Sequence, residues 1–175
     1  KAEEIRTSEV LIDQYILGKI RKLIVDVNEK MENYEITDAC AQISDFIDVL
    51  NNWYIRRSRP RFWDNVKSPE VVSAYNTLYT VLKNFFKVLA PFLPLISEFA
   101  YKKLSNEISV HLEDWPSEEN FEEEKELIEK MDFVRQIVSV ALSIRKINNL
   151  RVRQPVKSVT IISPDFDVNS LNEYE

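Results

Sequence analysis

The chain has 175 residues, 45% of them hydrophobic and 30% charged, enough to bury a core in one domain, with room for the start of another. Its single glycine, Gly18, stands where average usage gives about 12, which excludes phosphate-cradling Gly-rich loops and dinucleotide fingerprints and disfavours hairpin-rich β folds. A net charge of −6 excludes a uniformly basic nucleic-acid coat, and the lone Cys40 excludes a disulfide framework or a cysteine zinc cluster and fits a reducing, cytoplasmic compartment.

In chain order, Lys1-Ala2-Glu3-Glu4 lacks the apolar run of a signal peptide. Ile12, Ile16, Ile20, Leu23, Val27, Met31 and Tyr34 step by three and four and predict a helix over 12–34, with Gly18 costing about 1 kcal/mol inside it. A second helix is expected from Thr37-Asp38, its core face made by Ala39, Ile43, Phe46, Ile47, Leu50, Trp53 and Tyr54, and its end set at Arg59 by Pro60. Ser68-Pro69-Glu70 reads as a cap, a first-turn proline and an acid, opening a third helix with Val72, Tyr75, Leu78, Tyr79, Leu82, Phe85, Phe86 and Leu89 inward.

Pro91 and Pro94 punctuate the chain before a short helix carrying Leu95, Phe99, Ala100 and Leu104. Residues 105–118 read as loop, with Ser109–Leu112 in extended form and Trp115-Pro116 anchoring it. A fifth helix is expected over 121–148 with Leu127, Met131, Val134, Val138, Ala141, Leu142 and Ile147 on its face. After Pro155, the β-branched run Val156–Ile162 is strand-like, yet it has no sheet to join. The expected fold is all-α, an antiparallel bundle of about five helices with a short C-terminal strand segment. The expected domains are 1–150 and, from 151 to 175, the beginning of another subdomain.

Charge is unevenly spread. Nine acids and one lysine fall between Glu113 and Glu129, the pattern of a solvated loop and helix N-terminus. Arg56, Arg57, Arg59, Arg61 and Lys67 form one basic cluster, opposed only by Asp64; Arg145, Lys146, Arg151, Arg153 and Lys157 form another with no acid among them. The first is interleaved with Trp53, Tyr54, Phe62 and Trp63, and arginine forks with aromatic faces are what phosphates and unstacked bases require. Helical phase places Trp53, Tyr54 and Arg57 on the core face with Leu50, and Asn52, Arg56 and Arg59 opposite. The plainer alternative is that these cations complement a helix C-terminus, with Arg57 capping carbonyls or meeting a buried acid. The second cluster is either an RNA-tracking surface or a charged edge. The lone His111, in a loop beside acids, and Cys40 offer neither a catalytic pair nor a metal set.

Leu50-Asn51-Asn52-Trp53-Tyr54-Ile55-Arg56-Arg57-Ser58-Arg59-Pro60-Arg61-Phe62-Trp63 resembles the anticodon-binding domain of isoleucyl-tRNA synthetase. Ile12–Leu17, Leu89–Pro94 followed by Ser97-Glu98, Ser109–Pro116, and Arg151-Val152-Arg153-Gln154-Pro155-Val156 resemble further segments of that family in the same order, so the likeness spans 10–162. Pro60 departs from the pattern: a basic residue is common there.

The resemblance implies a tRNA-recognition module that reads the isoleucine tRNA anticodon. It assigns tRNA contacts to Asn52, Trp53, Arg56, Arg57, Arg59, Arg61, Phe62, Trp63, Arg151, Arg153 and Gln154. It also implies a longer class I ligase that joins isoleucine to its tRNA with ATP and magnesium. The His-Ile-Gly-His and Lys-Met-Ser-Lys-Ser signatures of that chemistry are absent here, so the catalytic domain of the same full-length chain is an expected partner, and no cofactor is expected in this piece. The rivals are the equivalent domain of a valyl- or leucyl-tRNA synthetase, and a helical protein–protein module without an RNA role.

Overall fold

The computed structural model describes residues 2–64 and 68–163. The chain falls into two compact units, Lys1–Glu124 and Lys125–Glu175. Among the described residues the regular structure is entirely helical.

In the first unit, α1 spans Leu11–Glu32 and buries Tyr15, Ile16, Ile20, Ile24 and Val27. Asp13 lies on the same buried face. Tyr34, expected on the core face, instead closes the helix. It adopts φ 60° and is 88% exposed, while Glu35 N–H donates to the Lys30 carbonyl and Tyr34 N–H to that of Met31. This is the left-handed Schellman ending usually given to glycine. It starts the next helix at once, at Ile36 rather than Thr37, because the Glu35 carbonyl accepts from Asp38 and Ala39.

The second long helix runs unbroken from Ile36 to Phe62, as α2 (Ile36–Asp48), a π-helical stretch (Val49–Ile55) and α3 (Arg56–Phe62). Pro60 was expected to stop the helix at Arg59, yet it lies inside α3. Two tertiary anchors outweigh the lost backbone bond. Arg61 is clamped on Asp13, and the Phe62 carbonyl accepts from the Tyr75 hydroxyl at 2.8 Å.

The π stretch changes which residues face inward. Phe46, Leu50, Tyr54 and Ser58 are buried and Phe62 half-buried, a strict four-residue step. At the α-helical 100° per residue, Phe62 would have drifted about 160° from Phe46. Wider π turns absorb that drift. Arg57, expected on the core face, is therefore exposed, and Ser58 takes the inward place.

α4 (Pro69–Leu89) begins as its sequence predicts: Ser68 Oγ accepts from Val71 N–H at 3.3 Å, with Pro69 in the first turn. In its first half the buried face is turned by about one residue from the expected one, whereas Phe85 and Leu89 are buried as expected. Val71, Ala74, Thr77, Val81, Phe85 and Val88 point inward, whereas Val72 and Tyr75 are exposed. Small residues are needed there, because Tyr54 brings its hydroxyl within 3.4 Å of the Ala74 carbonyl. Phe85 meets Phe46 with ring centroids 5.3 Å apart, joining α4 to α2. Burying one such ring contributes about 1.5–3 kcal/mol.

α5 (Pro94–Ser105) is rotated from its expected face, of which Ala100 and Leu104 are half-buried. Ser97, Tyr101 and Ser105 are buried, while Leu95, Ile96 and Phe99 are exposed. Rotation is fixed by Glu98, whose Oε2 accepts from Ser109 Oγ and Val110 N–H, both at 2.9 Å. That latch turns Tyr101 onto Ala90, Val110 and Phe86. Val110–Leu112 forms a 3-10 turn rather than extended chain, since Ser109 Oγ accepts from His111 N–H. Trp115 and buried Pro116 line a groove against Ile24 and Asn28 of α1, as expected of an anchor.

In the second unit α6 covers Lys125–Ile147. Leu127 and Met131 are buried, but Val138, Leu142 and Ile147, expected on its inner face, are exposed. Residues 156–162 form no strand; they have no strand to pair with among the described residues.

Candidate nucleic-acid interface

The site is built on the end of the long helix. Asp13 of α1 is fully buried and collects five hydrogen bonds. Its Oδ1 accepts from the Tyr54 hydroxyl at 3.0 Å and from Arg61 Nη1 at 2.8 Å. Its Oδ2 accepts from Arg61 Nη2 at 2.7 Å, Ser73 Oγ at 3.0 Å and Ser8 Oγ at 3.2 Å. Arg61 Nη2 also donates to the Glu70 carbonyl at 3.0 Å.

The bidentate fork satisfies the buried Asp13 carboxylate and engages both terminal nitrogens of the half-buried Arg61. The Asp13 hydrogen bonds hold Arg61 above the ordinary arginine pKa, despite opposing burial. Burial first, and the Asp13 charge second, push the Tyr54 phenol far above its usual range, so it remains a donor. Arg61 is therefore committed inside the fold rather than offered to a ligand. Phe62 is likewise half-buried, edge-on to Tyr54 and Tyr75 at centroid distances of 6.3 and 5.5 Å.

The other residues of the cluster face outward. Arg56, Arg57 and Arg59 are exposed and make no ion pair among the described residues. Trp63 is 70% exposed, with the Arg59 guanidinium 5.8 Å from its ring centroid. Arg57 stacks 4.7 Å over the half-buried Trp53 ring. Each such contact is worth about 0.5–1 kcal/mol at an exposed site, enough to orient a side chain without sequestering it. Asn52 is exposed and donates to Asp48 one turn back, at 2.6 Å. Asn52, Arg56 and Arg59 are all exposed, as expected, and Trp63 extends the surface at the C-terminus of α3.

In the second unit, Arg145 is consumed structurally. Its Nη1 donates to the Arg151 and Gln154 carbonyls at 2.9 and 2.8 Å, holding the turn after α6. Asn149 takes the left-handed position in that turn, at φ 54°. The backbone clamp leaves Arg151, Arg153 and Gln154 exposed. Lys67 of the first cluster lies outside the described residues.

Asp13 is the buried centre of this network that sequence reading missed. Its signal was present: an acid three residues before Ile16 and seven before Ile20, on the apolar stripe of α1. The buried acid envisaged for Arg57 exists, but it pairs with Arg61.

Residues 13–161 match the anticodon-binding domain of tRNA ligase. The chain belongs to that family. The match includes both arginine clusters and the Asp13 hub. The chain is also similar to isoleucine–tRNA ligases from several bacteria. It is 44% identical to that of Tropheryma whipplei over 168 residues, which is 96% of this chain and 15% of the relative. To that of Wolbachia sp. subsp. Brugia malayi it is 45% identical over 162 residues, or 92% and 14%. To that of Corynebacterium efficiens it is 44% identical over 156 residues, or 89% and 14%. The chain thus spans about a seventh of the length of these relatives, so this anticodon-binding domain corresponds to one segment of such ligases.

Proposed function

We propose that this domain reads the anticodon of an isoleucine tRNA as part of a cytoplasmic isoleucine–tRNA ligase. The single observation that carries the reading is the exposed row Arg56, Arg57 and Arg59, without an ion pair among the described residues and ending on the exposed Trp63 ring, in a chain otherwise rich in acid. An anticodon loop is single-stranded, so its bases can splay out and stack. Arg56 and Arg59 meet phosphates or base edges, Trp63 supplies a stacking face, and Asn52 donates and accepts toward a base. Trp53 and Arg57 form a second stacked pair on the same helix. Arg151, Arg153 and Gln154 add backbone contacts. Arg61 and Phe62 support this surface from below.

Adenylate formation with ATP and magnesium, and aminoacyl transfer, belong in this reading to other parts of the ligase, the catalytic domain among them. Isoleucine is favoured over valine or leucine by the three relatives compared above, each an isoleucine–tRNA ligase.

The test is binding to an isoleucine tRNA, with and without anticodon substitutions, at low and moderate salt. Preference for the native anticodon is expected. Arg59→Ala should weaken binding and flatten its salt dependence. Equal affinity and slope in that variant count against the site.

A further inference from the structure

We infer that Asp13 is the positioning residue of the RNA-reading turn, acting through Arg61 to set where Arg59 and Trp63 stand; the inference rests on the anticodon-reading proposal above. The carboxylate is fully buried on α1 and touches no solvent or candidate RNA surface. Its reach is what matters: one group binds the helix end through Arg61, the π stretch through Tyr54, α4 through Ser73 and the preceding segment through Ser8.

The turn it anchors is poorly held by its own backbone. Pro60 has no N–H, and α3 is only seven residues long, directly after a π stretch. The last closing bond is Trp63 N–H to the Arg59 carbonyl, so the same two residues that offer the cation and the ring also terminate the helix. Arg61 sits between them and is fixed by a fork with two short, parallel bonds, a geometry that tolerates little rotation.

A buried ion pair is a weak source of stability, since well-packed apolar replacements are often as stable. What the pair supplies here is orientation. The prediction separates the two roles. The paired variant Asp13→Leu/Arg61→Met removes both charges together, while the Tyr54 hydroxyl keeps the Ala74 carbonyl and the Ser8 and Ser73 hydroxyls keep each other. Its melting temperature is expected within a few degrees of the parent, as apolar replacement of ion pairs allows.

Its affinity for an isoleucine anticodon stem-loop is expected to fall about ten-fold. Adding Arg59→Ala to that variant should cost little more, because Arg59 has already lost its place; a double-mutant cycle measures that coupling. In chain labelled with 5-fluorotryptophan, the Trp63 resonance, assigned with Trp63→Phe, should move or broaden in the paired variant while that of Trp115 stays.

Should the paired variant unfold, Arg61→Lys serves: it keeps the charge and loses the fork, and the same loss of affinity and Trp63 shift are expected. An unchanged Trp63 resonance with unchanged affinity overturns the inference, as does full additivity with Arg59→Ala. If the unmodified chain shows no anticodon preference, the anticodon-reading proposal fails instead; the Trp63 resonance still reports whether Asp13 orders the turn.

Discussion

At the scale of single residues, Tyr34 shows how the chain tolerates strain where a short connection is needed. A non-glycine residue in the left-handed region costs about 1–2 kcal/mol, and Tyr34, almost wholly exposed at φ 60°, buries little in return. Glycine would remove the strain but lose more freedom on folding. Tyr34→Gly is therefore expected to raise stability by about 1 kcal/mol, read as a higher denaturant midpoint with unchanged slope; an unchanged midpoint would show that the turn is not strained. Asp13 is the opposite case. Asp13→Asn leaves the half-buried Arg61 without its counter-charge, and a loss of about 1–3 kcal/mol is expected in the same measurement, less than for a fully buried pair. Neither role could be read from spacing alone. A tyrosine on a helical period reads as core, and a buried acid shows only as a polar interruption of an apolar stripe until its partner across the fold is known.

At the scale of elements, helix identity was legible and helix rotation was not. The stretches 12–34 and 69–89 were recognisable because apolar steps of three and four and the Ser68-Pro69 start are local signals. Rotation of α4 and α5 depends on what crosses them: the Tyr54 hydroxyl approaches the α4 backbone at the small Ala74, and Glu98 turns α5. The π stretch likewise breaks the phase that periodicity assumes, which is why Arg57 and Ser58 exchanged places. Glu98 also gives the junction a pH response. Hydrogen bonding to Lys102 first, then to Val110 and Ser109, lowers its carboxyl from 4.5 to about 2. A carboxylate depressed in the folded state contributes stability above its unfolded pKa and loses it as pH falls toward the folded one. The latch should therefore be intact at neutral pH and weaken between pH 4.5 and about 2. Hydrogen exchange at Val110 N–H should quicken across that window, and Glu98→Gln should remove most of the change; exchange that is flat with pH would mean that Glu98 does not hold the turn.

At the scale of the whole molecule, the charge distribution sets how RNA binding must depend on salt. A chain of net charge −6 gains no general attraction for a polyanion, and the acidic run from Glu113 to Glu129 repels one. Attraction has to come from the cations left unpaired by folding. Folding spends Arg61 on Asp13 and Arg145 on two carbonyls, whereas Arg56, Arg59, Arg151 and Arg153 remain exposed. The total of lysines and arginines therefore overstates the available charge, a distinction the sequence could not make because it rests on contacts distant along the chain. Each phosphate contact to a single strand contributes about 0.7 to the slope of log affinity against log salt. Arg56→Ala/Arg59→Ala and Arg151→Ala/Arg153→Ala should each lower the slope magnitude by about 1.4 if both members meet phosphates. Because all four side chains are exposed, neither variant should shift the thermal midpoint by more than about 0.5 kcal/mol in stability. A slope that changes only for the first pair would assign recognition to the end of the long helix and leave the turn after α6 as a charged surface without RNA contact.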